Sequence, residues 1–205
     1  MVKMMNKKVP KLYFIAKFLF GNLFKWYYNP TIINKEYIPK DGPILIVGNH
    51  KHLWDQFLTI TVTKRGIHYM AKKEYFENKF SAFIFKSVGC ISVDRTKKDD
   101  NAVNSALSVL KDGGAVGLFP EGTRNKTKEF LLPFKYGTVS MAYKTDALIV
   151  PFGITGDYKF RSKNLTIRYG KPFKVTSKDL TKANEKLYKT VEKLMKENLK
   201  NNKEK

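Results

Sequence analysis

A chain of 205 residues and 23.7 kDa, 42% hydrophobic, is long enough to bury a core and short enough to form one domain. Lys+Arg 39 against Asp+Glu 18 leaves +21, so the expected partner is polyanionic: a nucleic acid, an anionic bilayer or a phosphorylated substrate. Cys90 is the single cysteine and there are three histidines, which excludes an intramolecular disulfide framework and a multi-cysteine metal site and fits a reducing, cytoplasmic setting.

The first thirty-five residues carry seven lysines and no acid, and they include the apolar stretch from Lys11 to Tyr28. A spanning helix needs roughly 20 mostly apolar residues, and a lysine at its centre costs about 2.5 to 3.5 kcal/mol. Lys11, Lys17 and Lys25 therefore argue against a span, and no small-residue cleavage site follows to mark a signal peptide. At about 100° per residue, Lys11, Lys17, Gly21, Asn22 and Lys25 gather on one side. Leu12, Ile15, Ala16, Leu19, Phe20, Leu23, Trp26 and Tyr27 take the other. That pattern predicts an amphipathic helix, either lying on a membrane surface or packed on its own domain. Residues 1–29 are accordingly read as a membrane-association segment and 30–205 as the main domain, with Pro30 to Pro43 simply joining the N-terminal helix to the first strand.

Further along, short apolar runs bounded by Gly, Pro or charge predict strands at Ile44–Val47, Ile67–Met70, Cys90–Val93, Ala115–Phe119, Leu148–Gly153 and Leu165–Tyr169. A helix is expected from Asp99 or Asp100 to Leu110, capped by aspartate and stopped by Gly113 and Gly114. A second is expected after Ser177, through Leu180, Ala183, Leu187, Val191 and Leu194, before a charged, frayed tail. Strands alternating with helices predict an α/β fold in a single domain, without repeats or a low-complexity linker.

Two polar constellations stand at strand exits, where open α/β sheets place their sites. The first is Gly48-Asn49-His50-Lys51-His52-Leu53-Trp54-Asp55. If His50 precedes a helix that contains Asp55, the carboxylate can orient the imidazole, which then takes a proton from an alcohol. A helix cap or a surface pair is the plainer alternative. The second is Phe119-Pro120-Glu121-Gly122-Thr123-Arg124, where Gly122 permits close backbone approach and Arg124 offers a fork for phosphate. A tight turn with a solvated Arg-Glu pair would use the same residues.

Taken in order, these blocks resemble those of the glycerolipid acyltransferases, specifically the bacterial 1-acyl-sn-glycerol-3-phosphate acyltransferases. Asn49-His50 to Asp55 resembles the N-H-x-x-x-x-D block, Gly89-Cys90-Ile91-Ser92-Val93-Asp94-Arg95 the G-x-I-x-V-D-R block, and Phe119 to Arg124 is F-P-E-G-T-R intact. Pro133-Phe134-Lys135-Tyr136-Gly137 and the proline-broken strand at Val150-Pro151 follow, so the likeness covers about residues 40 to 155. The resemblance implies a helix-flanked sheet that moves an acyl group directly from acyl-CoA or acyl carrier protein to a lysophosphatidate-type lipid, without a cofactor or metal. His50 would be the base and Asp55 its support. Arg95, Glu121, Gly122, Thr123 and Arg124 would bind the glycerol phosphate, with Asp94 orienting Arg95. The setting it implies is peripheral, on the cytoplasmic face of an anionic membrane, and nucleic acid is not expected.

His52 stands where the family commonly has serine, and Asn125 where serine or threonine is frequent. With no third histidine nearby, His50 and His52 are not expected to hold metal. Lys72 is expected to be a solvated lysine, His68 a structural histidine and Cys90 a small buried hydrophobe.

Overall fold

Strand β2 (Ile44–Gly48) is buried on every residue because it lies at the centre of the sheet and is covered on both faces. Leu45 and Val47 point into one apolar layer and Ile44 and Ile46 into the other. The computed structural model describes residues 10–97 and 99–203. Residues 1–9 of the N-terminal segment lie outside the described residues.

The sheet is completed by β1 (Thr31–Ile33), β3 (Ile67–Lys72), β4 (Ile91–Val93), β5 (Ala115–Leu118), β6 (Leu148–Thr155) and β7 (Thr166–Tyr169). Their order is β1-β7-β6-β2-β5-β3-β4, parallel throughout except for the antiparallel pair β6 and β7. Val47 sits opposite both Leu118 and Pro151, so the exits of β2, β5 and β6 come together at one edge. Six predicted strands are present, and β1 is a correction. The segment from Pro30 to Pro43 contributes a short edge strand that pairs with β7, and is more than a connector.

Helices α4 (Asp100–Lys111), α5 (Gly137–Thr145) and α6 (Leu180–Lys203) cover one face through Ala106, Leu110, Val139, Leu187 and Val191. As expected, Asp99 caps α4 by accepting from Ala102 N. The run after Leu194, expected to fray, is helix to Lys203. Asn198 is fully buried there, donating to Gly153 O at 3.0 Å and accepting from Arg168 Nε at 2.9 Å.

On the other face lie α1 (Lys11–Tyr28) and α2 (Asp55–Ile60), through Phe24 and Leu58, while α3 (Lys79–Ser87) precedes the edge strand β4. Helix α1 has two unlike sides. Tyr13, Lys17, Gly21, Phe24 and Tyr28, at three- and four-residue steps, face the domain. Tyr13 accepts from Ile67 N at 3.2 Å, Gly21 lies against the Thr61 side chain, and the Lys17 ammonium donates to the carbonyls of Thr63 and Arg65. The opposite side, with Leu12, Ile15, Phe18, Leu19, Leu23 and Trp26, is exposed, Phe18 to 70%. Among the described residues, no helix is long and apolar enough to cross a membrane.

Candidate active site

The chain leaves β2 at Gly48 and enters α2 at Asp55, and the loop between them carries His50. A side chain at Gly48 would collide with the Phe152 ring, its β-carbon only 2.3 Å away, so the strand exit can be this tight only with glycine. Asn49 locks the next step by donating to Ile154 O at 3.0 Å and accepting from Ile154 N at 2.7 Å. Asp55 opens α2 with its carboxylate turned back over the loop. Its Oδ2 accepts from Lys51 N at 2.7 Å and His52 N at 2.8 Å and lies 2.8 Å from His50 Nδ1. His50 before a helix and Asp55 at its start is the arrangement that lets residues five apart face one another.

The imidazole is fixed by more than Asp55. Phe119 stacks on it at 4.0 Å and 12°, itself stacked on Tyr69 and edge-on to Phe152. The backbone of His50 is clamped by the loop after β5: its N–H donates to Glu121 Oε1 at 2.6 Å and its carbonyl accepts from Asn125 N at 2.7 Å. With Nδ1 donating to a fully buried carboxylate, the ring keeps Nε2 for a ligand, and its side chain is 12% exposed. Such a pair can orient the imidazole and support the charge it gains on accepting a proton.

Glu121 is one of the expected ligand-binding residues, and its geometry gives it a structural task. It is buried, and its second oxygen accepts from Leu132 N at 3.0 Å, so both oxygens hold backbone. Burial pushes its carboxyl above the usual range, against the two N–H bonds that pull it down. Gly122 follows at φ +73, a conformation glycine adopts without strain. A β-carbon there would also meet the Lys135 side chain, at 2.8 Å from Cε and 2.9 Å from Nζ.

Around this turn collect three cations. Arg95 Nη1 donates to Gly122 O at 3.2 Å, Arg124 lies two residues on, and the Lys135 ammonium sits over Gly122. Thr123 and Arg124 are exposed. Desolvation first, and the neighbouring Arg124 charge among smaller causes, lowers the Arg95 guanidinium from its ordinary value. Clustered cations of this kind suit a phosphate dianion, whose oxygens can take two or three charge-assisted bonds. Asp94 was expected to orient Arg95. It instead accepts from Thr96 N at 3.0 Å and Thr96 Oγ1 at 2.6 Å and lies 3.7 Å from Lys73 Nζ.

The structure therefore draws His50, Asp55, Arg95, Glu121, Gly122, Thr123 and Arg124 to one sheet edge, in two subsites joined by the His50 backbone bonds. Sequence reasoning missed Tyr158, whose hydroxyl donates to Asp55 Oδ1 at 2.6 Å from the loop after β6. It also missed the place of Lys135, although the P-F-K-x-G segment was a signal. His68 is structural, its Nδ1 2.7 Å from Gly89 O, and burial pushes the Cys90 thiol up to about 12. Among the described residues no cluster of three metal-ligating side chains occurs.

Comparison with known proteins matches residues 29–155 to the family model described as Acyltransferase. The chain is similar to the 1-acyl-sn-glycerol-3-phosphate acyltransferase of Bacillus subtilis (strain 168), 35% identical over 127 residues covering 61% of this chain and 62% of that protein. The protein of the same name from Borreliella burgdorferi is 30% identical over 141 residues, 68% of this chain and 56% of the other. Against these relatives the chain spans about three fifths of their length. The crystal structure of the 1-acyl-sn-glycerophosphate (LPA) acyltransferase from Thermotoga maritima has the same fold, with a TM-score of 0.73 at 23% identity, over 90% of this chain and 78% of that one.

Proposed function

The chain belongs to the acyltransferase family, and from that footing we propose that it moves a fatty acyl group from a thioester, acyl-CoA or acyl carrier protein, to the sn-2 hydroxyl of 1-acyl-sn-glycerol 3-phosphate, giving phosphatidic acid. The observation that carries this reading is a His50–Asp55 pair beside the Arg95, Arg124 and Lys135 cluster, a base next to a phosphate site. In the proposed reaction the phosphate docks on the cations and presents the hydroxyl to His50 Nε2. The imidazole takes the hydroxyl proton while the oxygen attacks the thioester carbonyl, and Asp55 supports the imidazolium through Nδ1. The tetrahedral adduct collapses with loss of the C–S bond, and the departing sulfur receives the proton from His50. No acyl-enzyme is required, and alignment of the two substrates supplies much of the acceleration.

The exposed side of α1 is the membrane contact in this reading, with the enzyme peripheral on the cytoplasmic face of an anionic bilayer where acceptor and product reside. Leu19, Leu23 and Trp26 enter the lipid boundary, and lysines near the surface each add about 1 kcal/mol of attraction at low salt. Helix α1 then serves two surfaces, lipid outward and the domain inward. The test is a matrix of purified protein against two donors, acyl-CoA and acyl carrier protein, and three acceptors: lysophosphatidate, glycerol 3-phosphate and a lysophospholipid with a head group. Phosphatidate as the main product, identified by mass, is expected. A product from another acceptor alone would reassign the substrate, and none from any would contradict acyl transfer.

A further inference from the structure

We propose that Tyr158 is a positioning residue for acyl transfer, one that pins the second oxygen of Asp55 and is itself held in place by helix α1. The inference rests on the reading of His50 and Asp55 as base and support. Asp55 is 0% exposed, and its two oxygens are differently engaged. Oδ2 carries the bonds to His50, Lys51 and His52, whereas Oδ1 receives the Tyr158 hydroxyl at 2.6 Å. A carboxylate held at one oxygen can still turn about its Cβ–Cγ bond. Held at both, it keeps its plane, and with it the direction in which Oδ2 meets the imidazole. Burial, and then the Asp55 charge, raises the Tyr158 hydroxyl far above its ordinary value, so it remains a neutral donor throughout the working range.

The ring of Tyr158 is seated from several sides. His52 stacks on it at 4.4 Å and 16°, Tyr28 meets it edge-on at 5.5 Å, and Phe24 lies at 6.5 Å. The loop that presents it is fastened as well. The Lys51 ammonium donates to Gly156 O, and Asp157 N donates to Asn164 Oδ1 at 3.0 Å. Phe24 and Tyr28 belong to the inward side of α1, so one aromatic chain runs from that helix through Tyr158 to the carboxylate behind His50. The helix assigned to the lipid surface thereby also supports the catalytic pair.

Tyr158→Phe keeps the ring contacts and removes only the hydroxyl. With acceptor and donor varied separately, its kcat is expected to fall roughly ten- to a hundredfold, the scale of a small misplacement of reacting groups, with both KM values within about twofold of wild type. In an Asp55→Ala background the same change should cost less than about twofold, because the group through which it acts is gone. Wild-type kcat in Tyr158→Phe, a loss confined to KM, or the full loss repeated without Asp55 would each overturn the inference. Tyr28→Leu, which leaves the hydroxyl and weakens its seat, should show a smaller loss in kcat alone. If both variants melt as wild type and Tyr28→Leu turns over normally, the role given to α1 is wrong. A wild-type protein inactive in every donor and acceptor combination would instead refute the function itself, and Tyr158 with it.

Discussion

Loss of a general base costs about two to four decades in rate, and on the proposed mechanism His50→Ala loses that much while melting as wild type. Asp55→Asn should lose less, since it keeps a side chain of the same shape and removes the charge that supports the imidazolium. Single-turnover rates beside thermal melts check both. Arg124→Lys retains charge but replaces a planar fork by a point, and it should raise the acceptor KM while leaving the donor KM alone. Lys135→Ala should do the same to a smaller degree, in proportion to its place over Gly122. A rise in donor KM instead would move this cluster to the other substrate. The pairing of His50 and Asp55 was legible because it is local: five residues and a strand-to-helix turn suffice. Tyr158 was not, because it reaches Asp55 from 103 positions away and belongs to none of the recognisable blocks. The burial of Glu121 against two backbone N–H groups was not legible for a related reason: it depends on how the loops after β2 and β5, far apart in the chain, pack together.

Helix α1 forms over Lys11–Tyr28 with two unlike sides. The apolar side identified from the sequence is the exposed one, and the lysine side is the one against the domain, because Tyr13, Phe24 and Tyr28 lie among the lysines and anchor it. Leu19→Glu with Leu23→Glu should therefore release the protein from anionic vesicles without lowering the melting temperature. Phe24→Ala should destabilise the fold by about 3 to 5 kcal/mol, the usual cost of a lost buried phenylalanine. Burial also lowers the Lys17 ammonium from 10.5 to about 8. The folded chain then binds fewer protons than the unfolded chain between these values, so the penalty of burying the charge is full below about 8 and lifts above it. Melting temperature is expected to rise between about pH 8 and 10.5, with a flatter slope in Lys17→Met. Strand β1 and helix α5 escaped detection because each is short and weakly patterned. Thr31–Ile33 becomes a strand only when β7 pairs with it, and Gly137-Thr138-Val139 opens α5 with poor helix formers and no side-chain cap. Helix α3 did carry a signal, Asn78, whose side chain accepts from Phe80 N and Ser81 N.

The whole molecule repeats one rule, that the parallel strands end at the same edge and the polar blocks follow them. β2 delivers His50, β4 Arg95, β5 the Gly122 turn and β6 Tyr158. The α/β class and most of the sheet were legible because buried strands alternate with helical periodicity. The strand order was not, since it depends on contacts between distant segments. A net +21 says less than the layout does. Surface attraction is screened over about 10 Å at 0.1 M salt, so vesicle binding should weaken as salt rises yet persist through the apolar face of α1. The most direct test of the proposed chemistry follows acyl transfer from a labelled thioester to lysophosphatidate by mass, with wild type and a folded His50→Ala side by side. Phosphatidate from wild type and at least a hundredfold less from the variant is the expected result. Equal turnover by the two, or a trapped acyl-enzyme, would contradict direct transfer assisted by His50.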